Sequence, residues 1–245
     1  MNPTHAPSPN HDERGLPVSL IVLHYTGMRT GAEALDRLRD PASGVSAHYL
    51  VEEDGRVFAL VDEDRRAWHA GVAMWAGQDR INARSVGVEI VNPGHEWGYR
   101  DFPTVQMEAV RALTGRVARR HAVPPSRVVG HADVAPHRKE DPGERFDWDA
   151  LAAHGLALPR WDGTGEPVSG ERALRELELI GYPVAAYGNA ACTVAFQRRF
   201  APGELGQGLN EATRRAISWA ARRIAEDALR RARATTQHGP PPRTR

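Results

Sequence analysis

The chain has 245 residues, of which 41% are hydrophobic and 26% are charged, and its formal net charge is +1. This length and composition are typical of a soluble globular protein with one mid-sized domain, or one domain and a small module. The near-zero net charge argues against a nucleic acid partner. No apolar run is long enough to span a membrane. The single cysteine excludes an intrachain disulfide.

The first part of the chain combines a polar segment with a buried strand. Residues 1–15 contain three prolines and no apolar stretch, which predicts a disordered leader without an export signal and, by default, a cytoplasmic protein. Residues 18–23 read Val-Ser-Leu-Ile-Val-Leu and predict a strand buried on both faces. His24 ends this strand, where a functional group is common, although a satisfied core histidine is an equally acceptable interpretation.

The next segments change from a helical to an extended pattern. Residues 32–39 predict a short helix, because apolar residues recur at helical spacing before a proline. Residues 47–51 and 56–61 are apolar and flank Asp54-Gly55, a turn sequence that predicts a β-hairpin. The hairpin adds two antiparallel strands to the expected secondary structure.

A second buried strand carries an unusual carboxylate. Residues 85–91 are almost entirely apolar except for Glu89, and a lone buried carboxylate costs free energy unless it has a partner or a function. A salt bridge with an arginine is the alternative interpretation. Residues 104–120 predict an amphipathic helix capped by Thr104, and residues 127–129 predict a last short strand.

The segment after that strand, residues 130–143, is rich in ionisable groups. Pro136 and Pro142 prevent a regular helix, so a stiff, extended loop is expected. His131 and Asp141 could bind Zn²⁺ through an imidazole nitrogen and a carboxylate oxygen, with further ligands from elsewhere. A solvated basic loop with an incidental histidine is the alternative.

The C-terminal third has a different composition. Residues 156–170 are rich in glycine and proline and predict a linker. Residues 171–228 predict a small three-helix module, with Cys192 in its core as a small apolar side chain, and residues 229–245 predict a disordered tail. The three helical patterns cover residues 172–180, 191–200 and 210–224.

Five residues from three segments of the chain could form one catalytic centre. His24, His131 and Asp141 would supply two nitrogen ligands and one oxygen ligand, which leaves the fourth position of a zinc ion open, as in catalytic sites. Glu89 could act as general base towards water, and Lys139 could neutralise charge on a tetrahedral oxyanion. These roles together describe the hydrolysis of an amide.

The sequence resembles a known family, the zinc-dependent N-acetylmuramoyl-L-alanine amidases of the AmpD and AmiD type. This family is related to phage T7 lysozyme and to peptidoglycan-recognition proteins. The resemblance covers roughly residues 18 to 153, with the motifs in the expected order. The matching segments are residues 21–26 (IVLHYT), 45–51 (VSAHYLV), 68–71 (WHAG), Asn82, 85–90 (SVGVEI), 130–136 (GHADVAP) and 138–143 (RKEDPG).

The resemblance implies a fold, an activity and the roles of individual residues. The implied fold of the amidase domain, residues 16–155, is α/β with a mixed sheet flanked by helices. The implied zinc ligands are His24, His131 and Asp141, and the implied catalytic pair is Glu89 and Lys139. The implied reaction cleaves the bond between N-acetylmuramic acid, including its 1,6-anhydro form, and the L-alanine of the peptidoglycan stem peptide.

Further features follow from the same resemblance. Four residues are implied to line the substrate groove, namely His69, Trp68, Trp75 and Asn82. Residues 171–228 resemble a peptidoglycan-binding domain, so the expected partners are muropeptides or peptidoglycan, in wall recycling or remodelling. Because all proposed catalytic residues precede the linker, removal of the helical module is expected to spare cleavage of small muropeptides.

A protein that only binds muropeptides is the competing interpretation. Some recognition relatives keep the fold but typically lose a zinc ligand, whereas His24, His131 and Asp141 are all present here. The enzyme is therefore the preferred hypothesis. A cysteine hydrolase is disfavoured, because Cys192 lies in the helical module.

Overall fold

A mixed β-sheet forms the centre of the molecule, for which a computed structural model describes residues 2–237. The strands are β1 (Thr4–His5), β2 (His11–Glu13), β3 (Leu20–Tyr25), β4 (Tyr49–Val51), β5 (Val57–Ala59), β6 (Arg65–Ala67), β7 (Ser85–Ile90) and β8 (Val128–Gly130). Six of them form one sheet in the order β1-β5-β4-β7-β3-β8, in which the β4–β5 hairpin is antiparallel and the other pairs are parallel. Strands β2 and β6 form a separate antiparallel pair.

Helices cover both faces of the six-stranded sheet, which confirms the predicted α/β fold. They are α1 (Gly31–Arg39), α2 (Ile81–Arg84), α3 (Gly94–Trp97), α4 (Thr104–His121), α5 (His131–Val134), α6 (Trp148–Ala152), α7 (Gly170–Ile180), α8 (Val184–Tyr187), α9 (Asn189–Phe200) and α10 (Glu211–Gln237). The prediction that Thr104 caps α4 is wrong, because Pro103 holds the cap position and makes no side-chain hydrogen bond there. Among residues 2–237, no helix is long and apolar enough to cross a membrane.

Strand β3 is buried on both faces, as its continuous apolar pattern predicts. Successive side chains of a strand point to opposite faces of the sheet. Ile21 and Leu23 accordingly pack into a cluster with α4, whereas Leu20 and Val22 pack into a second cluster formed largely by the C-terminal helices.

The C-terminal helices share their core with the sheet instead of forming an isolated module. Leu177, Phe196 and Ile217, from α7, α9 and α10, belong to the same buried cluster as Leu20 and Val22 of β3. The segment 156–170 is packed as well, because Leu158 and Trp161 cover this cluster. The backbone N–H of Trp161 also donates to the Phe200 carbonyl at 2.8 Å. The sequence suggested a free linker because glycine and proline are common in linkers and in packed irregular segments alike.

The predicted disordered leader is wrong for residues 2–15, which contain β1 and β2. Arg14 is 5% exposed, and its guanidinium donates to the carbonyls of Ser85 at 2.7 Å, Arg65 at 2.7 Å and Glu63 at 2.9 Å. This segment is held by backbone pairing and polar contacts, so its low apolar content gave no sign of its order.

The predicted disordered tail is also wrong in part. Helix α10 continues through residues 229–237, and residues 238–245 lie outside the part of the chain that the structure describes. Alanine and arginine dominate the end of α10, and both have high helix propensity. The prolines and the glycine that suggested disorder all follow Gln237.

Candidate active site

A cavity of about 400 Å³ lies at the carboxyl ends of the parallel strands β3, β7 and β8. This edge of an α/β sheet is the usual place for a ligand site. His24 is the fifth residue of β3, Glu89 faces it in register on β7, and His131 directly follows β8. All three side chains line the cavity, together with Asp141 and Lys139.

Three possible metal ligands converge at the base of this cavity. The Nδ1 atoms of His24 and His131 lie 2.9 Å apart, and each lies 3.0 Å from Oδ2 of Asp141. All three residues are buried. Burial opposes ionisation of Asp141, but the imidazoles of His131 and His24 outweigh it and hold the pKa of that carboxyl well below its usual range.

A chain of hydrogen bonds assigns the tautomer of His24. The Ser85 hydroxyl donates to the Ile81 carbonyl at 2.6 Å and therefore accepts from Nε2–H of His69 at 3.1 Å. Nδ1 of His69 then accepts from Nε2–H of His24 at 3.0 Å. Burial, with the neighbouring His131, lowers the pKa of His24 to about 4, so the ring is neutral and its Nδ1 lone pair faces the site.

A hydrogen bond to a backbone carbonyl orients the ring of His131. Its Nε2–H donates to the Ala70 carbonyl at 3.2 Å, and Arg138 donates to the same oxygen. Nδ1 of both imidazoles and Oδ2 of the Asp141 carboxylate therefore face one another. Two nitrogens with one oxygen suit Zn²⁺ with an open fourth position.

Glu89 has a carboxylate oxygen without a partner in the described part of the chain. Its Oε2 atom is buried and makes no hydrogen bond within residues 2–237, and no arginine forms the alternative salt bridge in that part of the chain. Burial raises the pKa of Glu89 well above its usual range, Asp141 raises it further, and Lys139 opposes the shift. A carboxyl group with a raised pKa that reaches a cavity is suited to proton transfer near neutral pH.

The loop between the two ligands contains a helical turn that was not predicted. Residues His131–Val134 form α5, so the expectation of an extended loop is wrong at its start. Both prolines follow this turn, where they do not interrupt its hydrogen bonds. The backbone N–H of Lys139 donates to the Ala135 carbonyl at 3.1 Å, which anchors Lys139 beside the cavity.

Two of the four predicted groove residues line the cavity and two do not. Trp68 and His69 line the cavity, although His69 also supports His24. Trp75 is only 3% exposed and packs edge-to-face on Tyr182, so it is not a wall of this cavity. Asn82 does not line the cavity either, since its Oδ1 accepts from the backbone N–H groups of His69 and Ala70.

Two supporting residues were not predicted. Ser85 orients His69, and Arg138 binds the carbonyl that orients His131. The alternation of β7 contained a signal for Ser85, because Ser85, Gly87 and Glu89 share one face of the strand. Arg138 had no such signal in the sequence.

Comparison with known proteins agrees with this geometry. The family model described as N-acetylmuramoyl-L-alanine amidase matches residues 14–144, a segment that contains the five converging residues. The amidase AmiD of Escherichia coli K12 is 36% identical over 151 residues, and the match covers 57% of this chain and 54% of AmiD. The match thus spans about half the length of that relative. The 1,6-anhydro-N-acetylmuramyl-L-alanine amidase AmpD of Enterobacter cloacae is 33% identical over 168 residues, covering 61% of this chain and 88% of AmpD.

Solved structures extend the similarity to the C-terminal helices. AmpDh3 of Pseudomonas aeruginosa has a TM-score of 0.75 at 30% identity, and the match covers 89% of this chain and 95% of AmpDh3. The complex of Escherichia coli AmiD with an anhydromuramyl tripeptide has a TM-score of 0.74 at 29% identity, covering 89% of this chain and 91% of AmiD. Coverage this high requires that part of the helical region match too. Because the family model spans more than half of the chain and includes all five converging residues, this protein belongs to the N-acetylmuramoyl-L-alanine amidase family.

Proposed function

We propose that this protein is a zinc-dependent amidase that cleaves the bond between N-acetylmuramic acid and the L-alanine of the stem peptide. The observation that carries the proposal is the convergence of two imidazole nitrogens and a carboxylate oxygen in one cavity, beside Glu89, whose buried Oε2 has no hydrogen-bond partner among residues 2–237. The AmiD structure contains anhydro-N-acetylmuramic acid linked to L-Ala-D-γ-Glu-L-Lys, and an AmpDh3 structure contains an anhydromuramic pentapeptide. Both ligands support a muropeptide substrate, including its 1,6-anhydro form.

The chain's own residues divide the reaction between them. His24, His131 and Asp141 would hold the zinc ion, which when bound supplies a Lewis acid that polarises a carbonyl and makes water more acidic. Glu89 accepts a proton from the attacking water at a carboxylate oxygen. It then delivers that proton to the nitrogen of L-alanine as the amide bond breaks.

Lys139 acts on charge that appears only during the reaction. Lys139 lines the same cavity as Glu89. We infer that it stabilises the negative charge that develops on the carbonyl oxygen of the lactyl group, since a positioned cation is most effective in a site shielded from water. Trp68 contributes an indole surface to the wall against which the substrate lies.

Product analysis on a defined substrate tests the proposal. Incubation with an anhydromuramyl tripeptide should release the free tripeptide and the anhydro sugar, identified by mass spectrometry. Chelation should abolish the release, zinc should restore it, and metal analysis should find one zinc ion per chain. Activity that persists without stoichiometric zinc would exclude this mechanism, and tight binding without cleavage would indicate a muropeptide-recognition protein.

We also propose that residues 171–228 bind polymeric peptidoglycan and that the protein acts in recycling within the cytoplasm. A pull-down with purified sacculi in saturating soluble muropeptide tests the first part, because retention then requires a surface outside the cavity. Loss of all retention argues against such a surface. Fractionation of cells that express the native gene tests the second part, and protein found outside the cytoplasm contradicts it.

A further inference from the structure

The C-terminal helices make direct contact with the loop that carries two of the three proposed metal ligands. Strand β8 leads into α5, and His131 is the first residue of that turn. Asp141 follows ten residues later, and its carbonyl accepts from the Ala132 N–H at 2.8 Å, so both ligands belong to one hydrogen-bonded loop. We call residues 130–144 the metal loop.

A buried carboxylate ties this loop to the helices. Asp133 is 2% exposed, and its Oδ2 accepts from the Gly130 N–H at 2.7 Å, which closes the turn that begins with His131. Its Oδ1 accepts from the hydroxyl of Tyr182 at 2.5 Å. Tyr182 follows α7 and is 1% exposed. A segment 49 residues away in sequence therefore satisfies the carboxylate that shapes the start of the metal loop.

Packing leaves Tyr182 little freedom to move. Its ring lies edge-to-face against Trp75 and Phe196, with centroid separations of 5.0 and 5.9 Å. The backbone around Trp75 joins the segment that carries Asp133 to the segment that carries Tyr182. The Met74 N–H donates to the Val134 carbonyl, and the Ala76 N–H donates to the Gly181 carbonyl, both at 2.8 Å. The hydroxyl is thus presented to Asp133 from a rigid support.

The other end of the metal loop is held by α9. Arg198 is 9% exposed and lies 3.4 Å from carboxylate oxygens of both Glu140 and Glu144. Glu140 immediately precedes the ligand Asp141. The C-terminal region therefore contacts the loop near each of its two ligands, through Tyr182 at Asp133 and through Arg198 at Glu140 and Glu144.

We propose that the C-terminal helices position the metal ligands, and that Tyr182 is the main positioning residue through its hydrogen bond to Asp133. A loop that is held in its binding geometry before the metal arrives loses less conformational entropy on binding. The inference rests on the proposed metal site but is independent of the identity of the substrate. It also means that the helices are required for the site and are not dispensable for cleavage.

Zinc affinity of the full-length protein tests the proposal, measured by competition with a chromophoric chelator. Tyr182→Phe keeps the ring and removes the hydroxyl, and should weaken zinc binding about tenfold, the lower end of the effect of lost outer-shell partners. The visible spectrum of the cobalt-substituted protein should change as well, because the ligand geometry is less tightly held.

Tyr49→Phe is the matched control. The Tyr49 hydroxyl donates to buried Glu63 at 2.6 Å, so its loss also removes a buried tyrosine–carboxylate bond, but away from the metal loop. Both variants should lower the melting temperature, whereas only Tyr182→Phe should change zinc affinity and the cobalt spectrum. Equal zinc affinity in both variants and the wild type would overturn the inference and leave the proposed function intact.

A second variant covers the case in which Tyr182→Phe fails to fold. Arg198→Gln removes the contacts to Glu140 and Glu144 and keeps the buried tyrosine, and should weaken zinc binding in the same direction. Unchanged affinity in this variant counts against the inference. A wild-type chain that binds no zinc overturns both the inference and the proposed function.

Discussion

On one face of the central sheet, Val86, Val88 and Ile90 of β7 pack against the cluster that contains α4. On the other face, Ser85 and Glu89 of the same strand belong to the polar network around the cavity. Strand β3 shows the same division, since His24 shares its face with Leu20 and Val22. In these two strands the face towards α4 serves mainly packing, and the opposite face combines packing with the candidate chemistry.

This difference separates requirements for folding from requirements for function within one strand. On the α4 face, changes of shape should cost stability alone. The opposite face needs particular atoms at particular places, as Gly87 shows, because a Cβ atom there would lie 2.4 Å from the ring of His69. Substitutions on the two faces should therefore have different consequences for turnover and for stability.

Asp141→Ala should have the largest effect on turnover. It removes the anionic ligand and leaves only two of the three proposed ligands, so the protein should lose stoichiometric zinc and measurable activity together. Metal analysis and the release of stem peptide measure both. Asp101→Ala, at an exposed carboxylate, is the control, and retention of zinc by Asp141→Ala would contradict the ligand assignment.

Glu89→Gln should be nearly as severe while leaving the metal in place. The amide has almost the same shape but cannot accept the proton of water, so kcat should fall by about 10³-fold, within the range for a general base. Zinc content and the melting temperature should stay close to the wild-type values. A variant that loses stability but keeps its activity per folded molecule would show that Glu89 is structural.

The pH profile of the wild type sharpens the same test. Burial raises the pKa of Glu89, and the residue accepts a proton only when it is ionised. Turnover should therefore fall as the pH drops through that raised pKa, at a higher pH than the ordinary value of about 4.3 would give. The acid limb should be missing from the residual activity of Glu89→Gln.

Lys139→Ala should reduce kcat by about 10²-fold, the scale expected when one stabilising group of an oxyanion is lost. The Michaelis constant should change little, because the charge that Lys139 offsets appears only in the transition state. Steady-state kinetics separate the two parameters. A rise in the Michaelis constant at unchanged kcat would assign Lys139 to substrate binding instead.

Leu113→Ala should have the smallest effect on turnover. Leu113 is 3% exposed in the α4 cluster, so its truncation should lower the free energy of unfolding by about 2–5 kcal/mol through lost packing. The kcat of the folded fraction should be unchanged, as measured below the melting transition. A large loss of kcat would show that the two faces of the sheet are coupled.

Local patterns in the sequence were sufficient for the strands of the active site. The apolar runs of β3 and β7 predict buried strands, and a polar residue within such a run, His24 or Glu89, is conspicuous because burial makes it costly. His131 and Asp141 were visible because they are possible metal ligands in a segment rich in ionisable groups. These signals depend on residues close together in the chain, so the tertiary structure is not needed to see them.

The roles of supporting residues required the tertiary structure. Trp75 and Trp68 have similar sequence surroundings, yet one is buried against Tyr182 and the other lines the cavity. Arg14 is ordered by carbonyl groups about 50 to 70 positions away, which no local pattern encodes.

By itself, the sequence determined the α/β class, the two buried strands, the five proposed ligand and catalytic residues, which meet in the cavity, and three of the helices of the C-terminal region. Only the tertiary structure decided that those helices cover the second face of the sheet and bind the metal loop through Tyr182. The apolar face of α7 or α9 has the same periodicity whether it packs within a separate module or against β3. Periodicity shows that a face is buried, whereas the partner is chosen by the shape and hydrogen bonding of distant segments.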